Sequence, residues 1–198
     1  MERKTFLQCT LAAAGSLLLG GKIKGLEYYP MPSTKRWAIL YGTWCGSSRD
    51  AAVWISEGMG GIAQVYDVRE APDLSRFDHL IIGGSIRSNV TSPELQAFIK
   101  TQKAVIKPKL RGLFAVCGNM QQPTGPAQTT LFIENHLAAL CEAGPLPSKV
   151  FNGRITKRLL DAATATTMAT FPDYDMLKRA DCMQFGSEVL EKNPIGKP

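Results

Sequence analysis

The chain has 198 residues, 44% of them hydrophobic and 20% charged, with a formal net charge of +6. Those values suit one globular domain with a full core plus a short appendage, and they argue against disorder. Four of the cations (Arg3, Lys4, Lys22, Lys24) fall in the first 25 residues, and no Arg/Lys run interleaved with aromatics follows, so the composition gives no nucleic-acid binder. Five cysteines, at positions 9, 45, 117, 141 and 182, form no Cys-x-x-Cys pair and no cluster with the two histidines. That leaves no metal site and no disulfide framework to expect; Cys141 and Cys182 read as buried small hydrophobes.

In chain order, residues 1–25 have a charged start followed by a small-residue apolar run from Cys9 to Gly21, the build of an export signal or an N-terminal anchor. Arg3-Lys4-Thr5-Phe6-Leu7 resembles the twin-arginine signal, with Lys in the second basic place. The resemblance implies an exported, periplasmic protein; the alternative is an amphipathic helix on a cytoplasmic one. Residues 26–36 read as a linker. From residue 37 to 192 strands and helices alternate, the pattern of a parallel sheet covered on both faces.

The first strand is the apolar run Trp37 to Tyr41. Ala51, Ala52, Ile55 and Met59 then recur at helical spacing. Strands are further expected over Ile62 to Val68, His79 to Gly83, Gly112 to Val116 and Val150 to Ile155. Helices are expected from Ser92-Pro93 (N-cap and first turn), over Ala127 to Cys141, and over Tyr174 to Leu190. Five strands with such crossovers predict a doubly wound α/β sheet in the order 2-1-3-4-5. In such a sheet ligands lie beyond the carboxyl ends of the strands, at the switch between strands 1 and 3. That rule selects three loops rich in Gly, Ser and Asn: Thr43 to Ser48, Gly84 to Asn89, and Cys117-Gly118-Asn119-Met120.

The first of these, Thr43-Trp44-Cys45-Gly46-Ser47-Ser48, lies between a strand and a helix start. There free amides and the positive end of the helix dipole attract an anion. It is neither a Walker A loop nor a Gly-x-Gly-x-x-Gly loop. It resembles the flavodoxin phosphate loop, Thr/Ser-x-Thr-Gly-x-Thr, with Cys45 in place of a hydroxyl and Ser48 in place of the last Thr. The Ile82-Gly83-Gly84-Ser85-Ile86-Arg87 and Phe114-Ala115-Val116-Cys117 stretches look most like the quinone-dependent protoporphyrinogen oxidase branch of that flavodoxin-like family.

The resemblance implies an FMN cofactor and a redox role, as electron carrier or flavin-dependent oxidoreductase. By carry-over Thr43, Trp44, Cys45, Gly46, Ser47 and Ser48 hold the phosphate. Gly84, Ser85, Ile86, Arg87, Cys117, Gly118 and Asn119 lie by the ring. A cation at Arg87 would make the bound flavin a readier electron acceptor. The partners implied are a redox protein or a quinone. Arg154 to Thr170 lies where the oxidase branch has a basic, apolar membrane-facing segment; here it reads as a connecting loop, with quinone access and peripheral membrane contact as the other readings.

Two rival readings use the same residues. Trp44-Cys45-Gly46-Ser47-Ser48 also resembles the thioredoxin motif, with Cys45 as a monothiol nucleophile and Ser48 at the resolving position. The fold could also serve as a binding module without flavin. His79 and His136 read as structural, and Asp50 and Glu57 as solvated helix positions, so no catalytic residue is assigned.

Overall fold

The computed structural model describes residues 33–118, 124–170 and 172–194. The expected export signal and most of the expected linker lie outside these residues, as do Asn119 and Met120. Among the described residues no helix is long and apolar enough to cross a membrane.

The chain begins with β1 (Trp37–Gly42), α1 (Ser47–Gly58), β2 (Ala63–Asp67) and β3 (His79–Arg87). A two-residue β4 (Val90–Thr91) follows, then α2 (Pro93–Lys109) and β5 (Leu110–Cys117). The third helix, α3, covers residues 126–141, of which Thr129–Ala138 is π-wound. After it come β6 (Ser148–Asn152), β7 (Arg154–Ile155), α4 (Ala162–Thr167), β8 (Tyr174–Asp175) and α5 (Arg179–Lys192).

The main sheet runs β2-β1-β3-β5-β6, all parallel, with β4 antiparallel on the end of β3. With β4 set aside this is the expected 2-1-3-4-5 order. Alternation along each strand divides the core between two faces. Ala38, Leu40, Leu80, Ile82, Leu113 and Ala115 pack with α2 and α3 through Leu95, Ile99, Phe132, Ile133 and Leu137. Trp37, Ile39, Ile81, Phe114 and Val116 pack with α1 and α5 through Ala51, Ile55, Cys182, Phe185 and Val189. Burying each such aliphatic side chain contributes about 1.5–3 kcal/mol. The seam between α1 and α5 is backbone on backbone: a Cβ on Gly58 would strike the Met183 carbonyl, and one on Gly186 the Ile55 carbonyl.

Three expectations are corrected. Gly84 to Arg87 is strand, not loop, because Ser85 and Ile86 continue the ladder against Val116 and Cys117 of β5. Ser88 and Asn89, at φ 51° and 66°, then turn the chain into β4, giving the two-residue turn with positive φ at both positions that suits a right-twisted hairpin. The fifth strand breaks at Gly153, whose N–H donates to the Cys117 carbonyl at 2.8 Å. Beyond it Arg154 and Ile155 pair with Asp175 and Tyr174 in a separate ribbon, so the last helix starts at Arg179 and not at Tyr174. Elsewhere the local signals hold: the Ser92 side chain accepts from the Leu95 amide with Pro93 in the first turn.

Candidate functional site

The carboxyl ends of β1, β3 and β5 open onto a cavity of about 510 Å³, within the usual range for a small-molecule site. Trp44, Cys45 and Ser47 line it from the first loop. Ser85 to Asn89 line it from the β3–β4 hairpin, and Cys117 and Gly118 from the end of β5. Three sequence-separated loops therefore meet at one place.

The first loop is shaped by Gly46, which caps α1 at φ 86°, a left-handed conformation that glycine adopts without strain. Its N–H donates to Thr43 Oγ1 at 2.9 Å, and its carbonyl accepts from the Arg49 and Asp50 amides. That leaves Ser47 and Ser48, at the start of the helix, with no intrahelical acceptor for their amides. Ser48 is fully buried and its Oγ lies 2.6 Å from Ser85 Oγ, tying the helix start to the end of β3.

Thr43, Gly46 and Ser48 thus build the loop rather than line the cavity. So does Gly84, where a Cβ would crowd the Gly42 carbonyl and Leu95. Asn119 lies outside the described residues.

Two guanidinium groups reach the cavity. Arg87 stacks on Trp44, 4.6 Å from the ring centroid, and its Nη1 lies 3.2 Å from Asp161 Oδ2. Asp161 in turn caps α4 through the Thr164 amide at 3.0 Å and hydroxyl at 2.8 Å. These two bonds, with Arg87 adding to them, hold its carboxyl down at about 2. Arg154 pairs with Asp50 of α1, and its Nη1 is 3.5 Å from Asp175 of β8. Burial works against its charge, yet the hydrogen bond it donates to Asp50 and the fields of both acids leave the guanidinium above its ordinary value. Asp50 is therefore an ion-pair partner and not a solvated helix position, whereas Glu57 is exposed, as expected, and meets Arg179 at 2.8 Å on the surface.

Sequence reasoning missed the far wall: Phe132 from the π-wound helix, with Ile155, Leu160, Ala163, Thr167 and Met168 from the segment read as a connecting loop. The usable signal was Asp161-Ala162-Ala163-Thr164, an N-cap ahead of an Ala/Thr run. The sheet rule also places anything crossing after β6 at the ligand edge. Elsewhere the structural readings stand. His136 Nε2 accepts the Thr91 amide, His79 packs edge-on against Trp37, and burial raises the thiols of Cys141 and Cys182 to about 12.

A family model described as flavodoxin domain matches residues 38–178 of the chain. The chain belongs to the flavodoxin domain family. The match is to the domain and singles out no branch within the family. The flavodoxin-domain chain is similar to oxidised flavodoxin 1 from Bacillus cereus at 14% identity, covering 78% of this chain and 97% of that one, with a TM-score of 0.49. A flavodoxin from the domain Archaea is similar at 14% identity, 78% and 96% coverage, and a TM-score of 0.49. Rubredoxin oxygen:oxidoreductase from Desulfovibrio gigas is similar at 15% identity, covering 94% of this chain but 42% of that longer one, with a TM-score of 0.48. No curated protein matches by sequence.

The flavodoxin fold removes the thioredoxin-like alternative, and the local geometry agrees. Ser48, at the would-be resolving position, is buried against Ser85, while Cys45 Sγ rests 3.8 Å from the Arg154 carbonyl.

Proposed function

We propose that this flavodoxin-domain protein binds FMN in the cavity at the ends of β1, β3 and β5 and uses it for electron transfer. The observation that carries the reading is the convergence of a helix start, open to the cavity at Ser47, and a cavity whose only charged lining groups, among the described residues, are two arginines. An anionic ligand with a flat polar body fits that donor set. The Ser47 amide and hydroxyl would hold the phosphate, with Ser48 fixing the helix start behind them. Ser85, Ile86, Cys117 and Gly118 would bound the ring, Trp44 would offer an aromatic face, and α4 would exclude water from one side. When bound, FMN supplies one- and two-electron transfer that no side chain here provides.

The electron partner is a redox protein or a quinone. The apolar wall of Phe132, Ile155, Leu160, Ala163 and Met168 supports the quinone, since it offers a second, uncharged surface inside the same cavity. The Gly84-Ser85-Ile86-Arg87 stretch points the same way, being the motif that resembles the quinone-dependent oxidase branch. Export to the periplasm rests on residues 1–25 of the sequence alone.

Purified protein incubated with excess FMN and then desalted should retain the visible absorbance of bound flavin. Folded protein that emerges colourless overturns the cofactor reading and leaves a binding module of another kind.

A further inference from the structure

We infer that Arg154 makes this cavity selective for a phosphate monoester, so that FMN is bound in preference to riboflavin. The inference rests on the FMN reading above and deepens it, because the loop from Thr43 to Ser48 could satisfy an anion through neutral amides and hydroxyls alone.

The break at Gly153 sends the chain back across the carboxyl edge of the sheet. The Arg154 carbonyl then lies between Cys45 Sγ, at 3.8 Å, and Gly118, where a Cβ would fall 3.1 Å away. From there the side chain turns towards the phosphate loop: a Cβ on Gly46 would sit 3.5 Å from Arg154 Nη2. The guanidinium therefore stands beside the same helix start whose amides lack acceptors. Arg87, the other cation lining the cavity, is engaged on the hairpin side by the Trp44 ring and by Asp161.

Two acids keep Arg154 in place, Asp50 from the first turn of α1 and Asp175 from β8, and neither lines the cavity. They stand to the side of the arginine, with its cationic edge contributing to the cavity wall. A guanidinium carries five N–H donors in a fixed fork, so it can share its charge between a carboxylate and a phosphate oxygen. Asp50 is then both holder and competitor. Its carboxylate keeps the cation parked at the loop, and it draws on the same Nη2 that a phosphate would use.

This arrangement predicts opposite effects for the two partners of one ion pair. Binding of FMN and riboflavin to the full-length protein should be followed by quenching of flavin fluorescence, with thermal melts confirming the fold of each variant. Arg154→Gln should weaken FMN roughly 10- to 100-fold, the range for losing a hydrogen bond to a charged group, and change riboflavin by less than about twofold. Asp50→Asn should tighten FMN and leave riboflavin unchanged. Arg154→Lys should recover part of the FMN affinity, since it keeps the charge without the fork.

If Arg154→Gln weakens both flavins equally, or if Asp50→Asn weakens FMN as Arg154→Gln does, the ion pair is a structural clasp and the inference falls while the cofactor reading stands. Equal affinity of the unaltered protein for both flavins has the same consequence. An unaltered protein that binds neither flavin takes down the cofactor reading and this inference together. Should Arg154→Gln fail to fold, the direction of the Asp50→Asn effect decides alone.

Discussion

The backbone N–H of Thr91 points at Nε2 of His136 across 2.9 Å, with the Thr91 hydroxyl 3.0 Å from the same nitrogen. An amide can only donate, so Nε2 accepts and the ring is neutral with its proton on Nδ1. The π-wound helix thereby grips the hairpin that carries Arg87, Ser88 and Asn89 to the cavity. Burial lowers the His136 value from its ordinary 6.5, so the unfolded chain takes up a proton first as pH falls. Stability is complete above about pH 6.5 and is lost as pH falls through the folded value. Melting temperature should drop on going from neutral pH to about pH 5, and His136→Gln should flatten that slope in part. His79, also lowered by burial and by nearby cations, adds a contribution of the same sign.

Ser48 and Ser85 form a second buried link, oxygen to oxygen at 2.6 Å. Ser48→Ala would leave the Ser85 hydroxyl without its partner and cost about 1–3 kcal/mol. The double alanine variant removes both polar groups and should cost less than the sum of the singles. Urea unfolding midpoints of the three variants check this.

The α1–α5 seam makes a sharper demand. Gly58→Ala and Gly186→Ala each drive a methyl into a carbonyl of the facing helix, and each should destabilise by about 1–3 kcal/mol or more. Gly144 has nothing within 4 Å of a would-be Cβ. Gly144→Ala should be neutral or stabilise by up to about 1 kcal/mol through the unfolded chain. Thermal melts of the three variants side by side test the contrast.

If FMN binds as proposed, Arg87 and Asp161 bear on its potential. The sequence suggests a cation near the ring; the structure pairs it with a carboxylate. Asp161→Asn should therefore raise the two-electron potential of the FMN-loaded protein, because the freed cation favours the more negative reduced state. Arg87→Gln should lower it, and spectroelectrochemical titration reads both directions.

Most of the scaffold was legible because its signals are local. The apolar runs of β1, β2, β3 and β5, the Ser92 cap and the small-residue loop after Tyr41 each announce themselves within a few residues. The end of β3 was not legible: Gly84 to Arg87 carries no apolar run, and only the ladder to β5 makes it strand. The break at Gly153 depends on a bond to Cys117, and β8 exists only because β7 lies opposite it. Arg154 finds Asp50 across 104 residues of sequence, a separation at which periodicity is silent. Hence the loop after β1 and Arg87 could be placed at the ligand edge from sequence, while Arg154 and the apolar wall facing them could not.

The cavity has a floor and a roof with different mechanical obligations. Its floor, the ends of β1, β3 and β5, belongs to the core, and a change there disturbs the sheet. Its roof, α4, contains no buried residue and owes the sheet almost nothing. Mutations in the roof are thermodynamically cheap, so the wall made by Ala163, Thr167 and Met168 can drift while the floor beneath them stays fixed.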